Sequence, residues 1–120
     1  MSEPGGEPRH WRLCLQDMID FAERAVTYTA GFDQDAFIGD GRTYDATLRN
    51  LELIGEAATH IPDDVREANP QIKWRQVVAT RNRLAHGYLG LDDDVIWDII
   101  QTDLPDLLVK ARRLLEEGRP

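Results

Sequence analysis

Apolar residues recur at steps of three and four along almost the whole chain, and that spacing leaves room for little except helices. Trp11, Leu15, Met18, Ala22, Ala25 and Thr29 form one stripe on a first long helix, which Gly31 should stop. After a linking segment, "FDQDAFIGDG", the pattern resumes at Tyr44, Leu48, Leu51, Ile54, Ala58 and Ile61. Pro62 closes this second helix, and "PDDVREANP" offers at most two helical turns with proline at their N-terminal edge. A third main helix is expected from about Lys73 to the neighbourhood of His86, with Trp74, Val77, Val78, Leu84 and Ala85 making apolar contacts. Gly87 and Gly90 bracket its exit. The last helix starts after "LDDD", where negative charge suits the helix dipole, and carries Ile96, Ile100, Leu104, Leu107, Ala111 and Leu114. Pro105 should kink or break it, with Asp103 as the cap of a restarted segment.

No strand-like alternation, hairpin dipeptide or internal repeat competes with this reading. The expectation is an all-α, up-and-down bundle of four main helices plus a short connecting helix. A chain of 120 residues can bury one core without staples. Residues 1–8 read as a flexible tail and 9–117 as the folded domain. The start, "MSEPGGEPRH", lacks the apolar stretch of a signal peptide, and no run approaches the length of a membrane span. A cytoplasmic protein is expected, with no membrane partner.

Charge narrows the function. A net charge of −8 argues against a general nucleic-acid binder, yet Arg66 to Arg83 holds five basic residues against one acid, Glu67. A phosphate-bearing partner would meet the chain there. The single cysteine, Cys14, excludes an internal disulfide and a thiolate-built metal site. His10 and His60 lack carboxylates or thiolates at ligand spacing, so neither a metal nor any other cofactor is expected.

Within the basic region lies "RNRLAHGY", residues 81–88. Histidine exchanges protons near neutrality, and arginine offers a fixed fork of donors to a phosphate. Asparagine and tyrosine can orient a neighbour or bind a phosphate oxygen. Such a set could cleave RNA without metal, a base activating the ribose 2′-hydroxyl while arginine offsets the charge growing on phosphorus. The plainer reading is an ordinary helix end, where His86 satisfies the last carbonyls. Geometry complicates the catalytic reading, because Arg81 and His86 lie about 140° apart around a helix. Either the helix unwinds at Gly87, or a second copy of the bundle completes the site.

Arg81, His86 and Tyr88 match the R-x4-6-H-x-Y signature of the HEPN superfamily. "RNLELIGEAATHIP" and "IKWRQVVATRNRLAHGYLGLDDDVIWDIIQTDLPDLL" resemble, in order, two motif regions of its HepT branch, and the likeness covers roughly Trp11 to Leu115. The resemblance implies a helical homodimer with two motifs at a shared cleft. It further implies a metal-independent endoribonuclease toxin acting on RNA, neutralised by an MNT nucleotidyltransferase antitoxin that transfers AMP onto the motif tyrosine, here Tyr88. On that basis Arg81 would stabilise the scissile phosphate, His86 would act as base or acid, and Asn82 would orient His86 or the phosphate. Tyr88 would contact substrate and take the modification. Local charge alone adds Arg83, Arg75 and Lys73 as substrate-binding residues. The alternative is a non-catalytic helical subunit that helps a nucleotidyltransferase hold a nucleotide or substrate. Glu56 could reach a neighbouring helix or the motif, and Gly55 should permit close helix approach.

Overall fold

The computed structural model describes residues 8–86 and 91–117, and its elements are all helical among them. α1 runs over Pro8–Thr29, α2 over Gln34–Gly39, α3 over Gly41–Ala58, α4 over Asp63–Ala68 and α5 over Trp74–Ala85. α6, Asp93–Asp98, passes through a π-helical turn, Ile99–Asp103, into α7, Leu104–Glu116. No helix among the described residues is long and apolar enough to cross a membrane.

Aspartates set three of the helix starts. Asp33 accepts a hydrogen bond from the Ala36 N–H at 2.8 Å, Asp40 from Thr43 at 3.1 Å, and Asp92 from Val95 at 2.8 Å. Each satisfies a backbone donor that the first helical turn leaves without a partner. Gly31, with φ at +82°, turns the chain out of α1 as only glycine does freely.

The expected stripes supply the core. Leu15, Met18, Ala22 and Ala25 of α1 are fully buried, with Leu48, Leu51, Ile54 and Ala58 of α3 beside them. Ile96, Ile100, Leu104, Leu107, Ala111 and Leu114 close the opposite wall. α1 packs on both α3 and α7, and α3 packs on α5. Arg12 ties α1 to the end of α7, donating to the main-chain carbonyls of Leu115 and Glu117.

Three expectations need correction. The segment read as a plain linker contains α2, whose Phe37 is fully buried against Tyr44 and Trp97, with ring centroids 5.2 and 5.4 Å away. Ala85, expected to face the core, is exposed. The helix does not restart from a cap at Asp103, which has helical dihedrals and no capping bond. Instead the Leu104 N–H reaches back five residues to the Ile99 carbonyl. A proline ring strikes the carbonyl four residues before it, and the wider π turn removes that conflict without ending the helix.

Candidate active site

α5 carries the motif, and the loop before it is fixed at two points. Asn69 donates its side-chain amide to the Val65 carbonyl at 2.8 Å, and the Trp74 indole N–H donates to the Asn69 carbonyl at 2.9 Å. Trp74 and Leu84 are buried, which seats the two ends of α5 on the bundle.

Between them, Arg81 faces α3 at a point where the helices approach closely. A Cβ added to Gly55 would overlap the Cβ of Arg81 and lie 2.9 Å from the Val77 carbonyl oxygen. Glycine is therefore what lets the arginine stem lie across α3. One residue on, Glu56 takes the head of the same side chain. Its Oε1 accepts from Arg81 Nε at 3.0 Å and from Nη2 at 2.5 Å. Arg81 Nη1 donates to Asn82 Oδ1 at 2.7 Å. The other carboxylate oxygen of Glu56 stands 3.6 Å from His60 Nε2. The hydrogen-bonded guanidinium of Arg81, and then its charge, hold the Glu56 carboxyl below the ordinary carboxylate range, with a smaller contribution from His60.

The structure thus joins Arg81 and Asn82, and adds Glu56 and His60 to them. It does not join Arg81 to His86. His86 is the exposed C-cap residue of α5, its backbone N–H directed at the carbonyls of Arg83 and Leu84. Asn82, expected to orient His86 or a phosphate, gives its side-chain Oδ1 to Arg81 instead. Tyr88, Gly87 and Gly90 lie outside the described residues.

The basic stretch does not form one patch. Lys73, Arg75 and Asn82 line a broad groove between α4 and α5, in which Arg66 is paired with Asp63. Arg83 lines a different groove, shared with Asp92, Asp94, Asp98 and Asp103. Steps of about 100° per residue explain the split, since neighbouring positions on α5 face different partners. The aspartates after the motif also have structural work. Asp92 caps α6, Asp93 accepts from the Tyr44 hydroxyl at 2.6 Å, and Asp94 accepts from Gln34 at 2.5 Å. Among the described residues, no three His, Cys, Asp or Glu side chains are grouped to hold a metal ion.

Both expectations for α3 hold: Gly55 permits the close approach of α5, and Glu56 reaches the motif arginine on it.

A family model described as "Ribonuclease HepT-like" matches residues 18–114. A Thermococcus cleftensis protein named "Probable ribonuclease HepT" is 35% identical over 83% of this chain and 91% of its own. A Methanocaldococcus jannaschii protein, named a "Putative RNase", is 36% identical over 82% of this chain and 91% of its own. Another with that description, from Caldanaerobacter subterraneus subsp. tengcongensis, is 27% identical over 90% of this chain and 96% of its own. No solved structure matches the chain.

Proposed function

This chain belongs to the HepT-like ribonuclease family, and from that premise we propose that it is the endoribonuclease toxin of a HepT/MNT pair. The observation that carries the reading is the state of Arg81. The motif arginine is held across α3 by Gly55 and Glu56, as a phosphate-binding cation should be when its position matters.

In the proposed reaction His86 removes the proton from a ribose 2′-hydroxyl. The freed oxygen attacks the adjacent phosphorus, and the bond to the 5′-oxygen breaks as that oxygen takes up a proton. The products are a 2′,3′-cyclic phosphate and a 5′-hydroxyl, and no metal ion takes part. Arg81 offsets the charge that grows on the non-bridging oxygens. Because Arg81 and His86 face apart on one helix, the proposed site is completed across a homodimer, each motif contributing to a shared cleft. Transfer of AMP onto Tyr88 by the nucleotidyltransferase antitoxin would place negative charge and bulk beside that cleft, and both oppose an RNA phosphate.

One observation favours a second reading. His86 stands exposed at the C-cap of α5 and makes no hydrogen bond to Arg81. A non-catalytic subunit that helps a nucleotidyltransferase hold its nucleotide would have that appearance.

Unmodified protein incubated with RNA in EDTA separates the two. Cleavage that disappears in His86→Ala supports the nuclease, and cleavage that survives in that variant removes His86 from the chemistry. Intact mass after co-expression with the partner enzyme should show added AMP that Tyr88→Phe loses.

A further inference from the structure

An arginine that receives a phosphate in a transition state must be rigid beforehand, because a free side chain loses up to about 2 kcal/mol of rotamer freedom when it is fixed. Arg81 is fixed at both ends by consecutive residues of α3. Gly55 admits its stem, and Glu56 takes the Nε and Nη2 donors of its head through a single carboxylate oxygen. Asn82 takes a donor of Nη1. A guanidinium has five N–H donors, so one on each terminal nitrogen is left without a partner among the described residues. Those two are the donors a phosphate can use.

The second oxygen of the carboxylate stands 3.6 Å from His60 Nε2, in the turn that follows α3. Stability does not explain the arrangement. The Arg81 and Glu56 side chains are 31% and 48% exposed, and ion pairs in that setting contribute at most about 1 kcal/mol.

We propose that Glu56 is the positioning residue of the motif arginine, holding the guanidinium by one edge so that its two remaining donors meet the scissile phosphate. The proposal rests on the ribonuclease reading above and adds to it a residue outside the R-x4-H-x-Y motif. Glu56 works from α3 and never touches substrate. It also leaves the Arg81–Glu56 pair nearly neutral, so at this position the phosphate is met by directed hydrogen bonds rather than bare charge.

The test combines a spectroscopic and a kinetic readout on Glu56→Ala and Glu56→Gln. In the unmodified full chain, the Arg81 Nε–H proton is identified in a nitrogen-15 spectrum by its loss in Arg81→Lys. It should exchange slowly in the native protein and join the free arginine signals in Glu56→Ala. In the same variant kcat for RNA cleavage should fall about 10- to 100-fold with KM little changed, since the guanidinium remains but is misplaced. Glu56→Gln keeps an acceptor oxygen and should recover part of the loss. Unchanged thermal midpoints for both variants confirm that folding is not the cause.

An Arg81 Nε–H unaltered by Glu56→Ala would overturn the proposal. So would cleavage by Glu56→Ala at or above the native rate, which would make Glu56 a competitor of the phosphate. Those results leave the ribonuclease reading intact if native protein cuts RNA. Native protein that cuts no RNA would instead end both together.

Discussion

Gly55 and Arg81 pack so closely that the glycine has no room for a methyl group: its Cβ would overlap that of Arg81 and press on the Val77 carbonyl. Two effects oppose each other in Gly55→Ala. Alanine improves helix propensity by about 1 kcal/mol. The overlap involves the base of a side chain and a backbone oxygen, neither of which can swing aside, and forcing groups into a packed contact costs about 1–3 kcal/mol. The overlap should win. Urea denaturation is expected to show a net loss of stability, and RNA cleavage should fall because α5 shifts and carries Arg81 with it. A variant as stable and active as the native protein would mean that the approach of the two helices is unimportant.

The division of the basic residues between two grooves predicts unequal effects on RNA binding. Lys73→Glu and Arg75→Glu alter the α4–α5 groove that ends at Asn82. Each should weaken binding to a 2′-deoxy-blocked, uncleavable RNA and reduce the slope of log affinity against log salt by about 0.7 for each lost phosphate contact. Arg83→Glu changes a groove already lined by four aspartates and should leave that slope nearly unaltered. Equal effects from all three substitutions would show that RNA does not distinguish the two faces of α5.

Asp103 provides a pH test of the π turn. Burial, and then the charge of Asp98, push its carboxyl above the ordinary carboxylate range, against the opposing effects of Lys73 and a 3.0 Å bond from Gln76. A carboxyl raised in the folded state binds its proton more tightly there than in the unfolded chain. Stability therefore falls as pH rises from the ordinary value through the raised one, and the loss is complete at neutral pH. Asp103→Asn removes the charge and retains an acceptor for Gln76. Its thermal midpoint at neutral pH should rise by about 1–3 °C, with the difference closing as the solution is acidified through the carboxylate range. A lower midpoint at neutral pH would show that the charged partnership with Gln76 and Lys73 outweighs the burial.

Much of the fold was legible because burial follows helical spacing. Every residue of the final stripe, from Ile96 to Leu114, is buried, and the first stripe is buried from Leu15 to Thr29. α2 escaped notice because a six-residue helix is too short to display a period, and its one core residue, Phe37, looks like a loop aromatic. The π turn was hidden for a different reason. Proline announces that the i to i−4 ladder must fail near Pro105, but tertiary packing decides whether the chain breaks, bends or widens.

The site divides along the same line. Residue types and order marked Arg81, Asn82, His86 and Tyr88 as a group. The partners of Arg81 depend on which helix lies against it, information carried by Gly55 and Glu56 some 25 positions earlier. The local surplus of positive charge misled for a related reason. Charge counted along a chain ignores that Arg81 pairs with Glu56 and Arg66 with Asp63, and that Arg83 lines a groove with four aspartates.

The most direct measurement is the rate of RNA cleavage in EDTA by native protein and by Arg81→Ala, both free of added AMP, with the product ends identified. The account predicts 2′,3′-cyclic phosphate and 5′-hydroxyl ends from the native protein, and a fall in kcat/KM of roughly 100-fold or more in the variant. Cleavage by Arg81→Ala at the native rate, or native cleavage that EDTA abolishes, would contradict it.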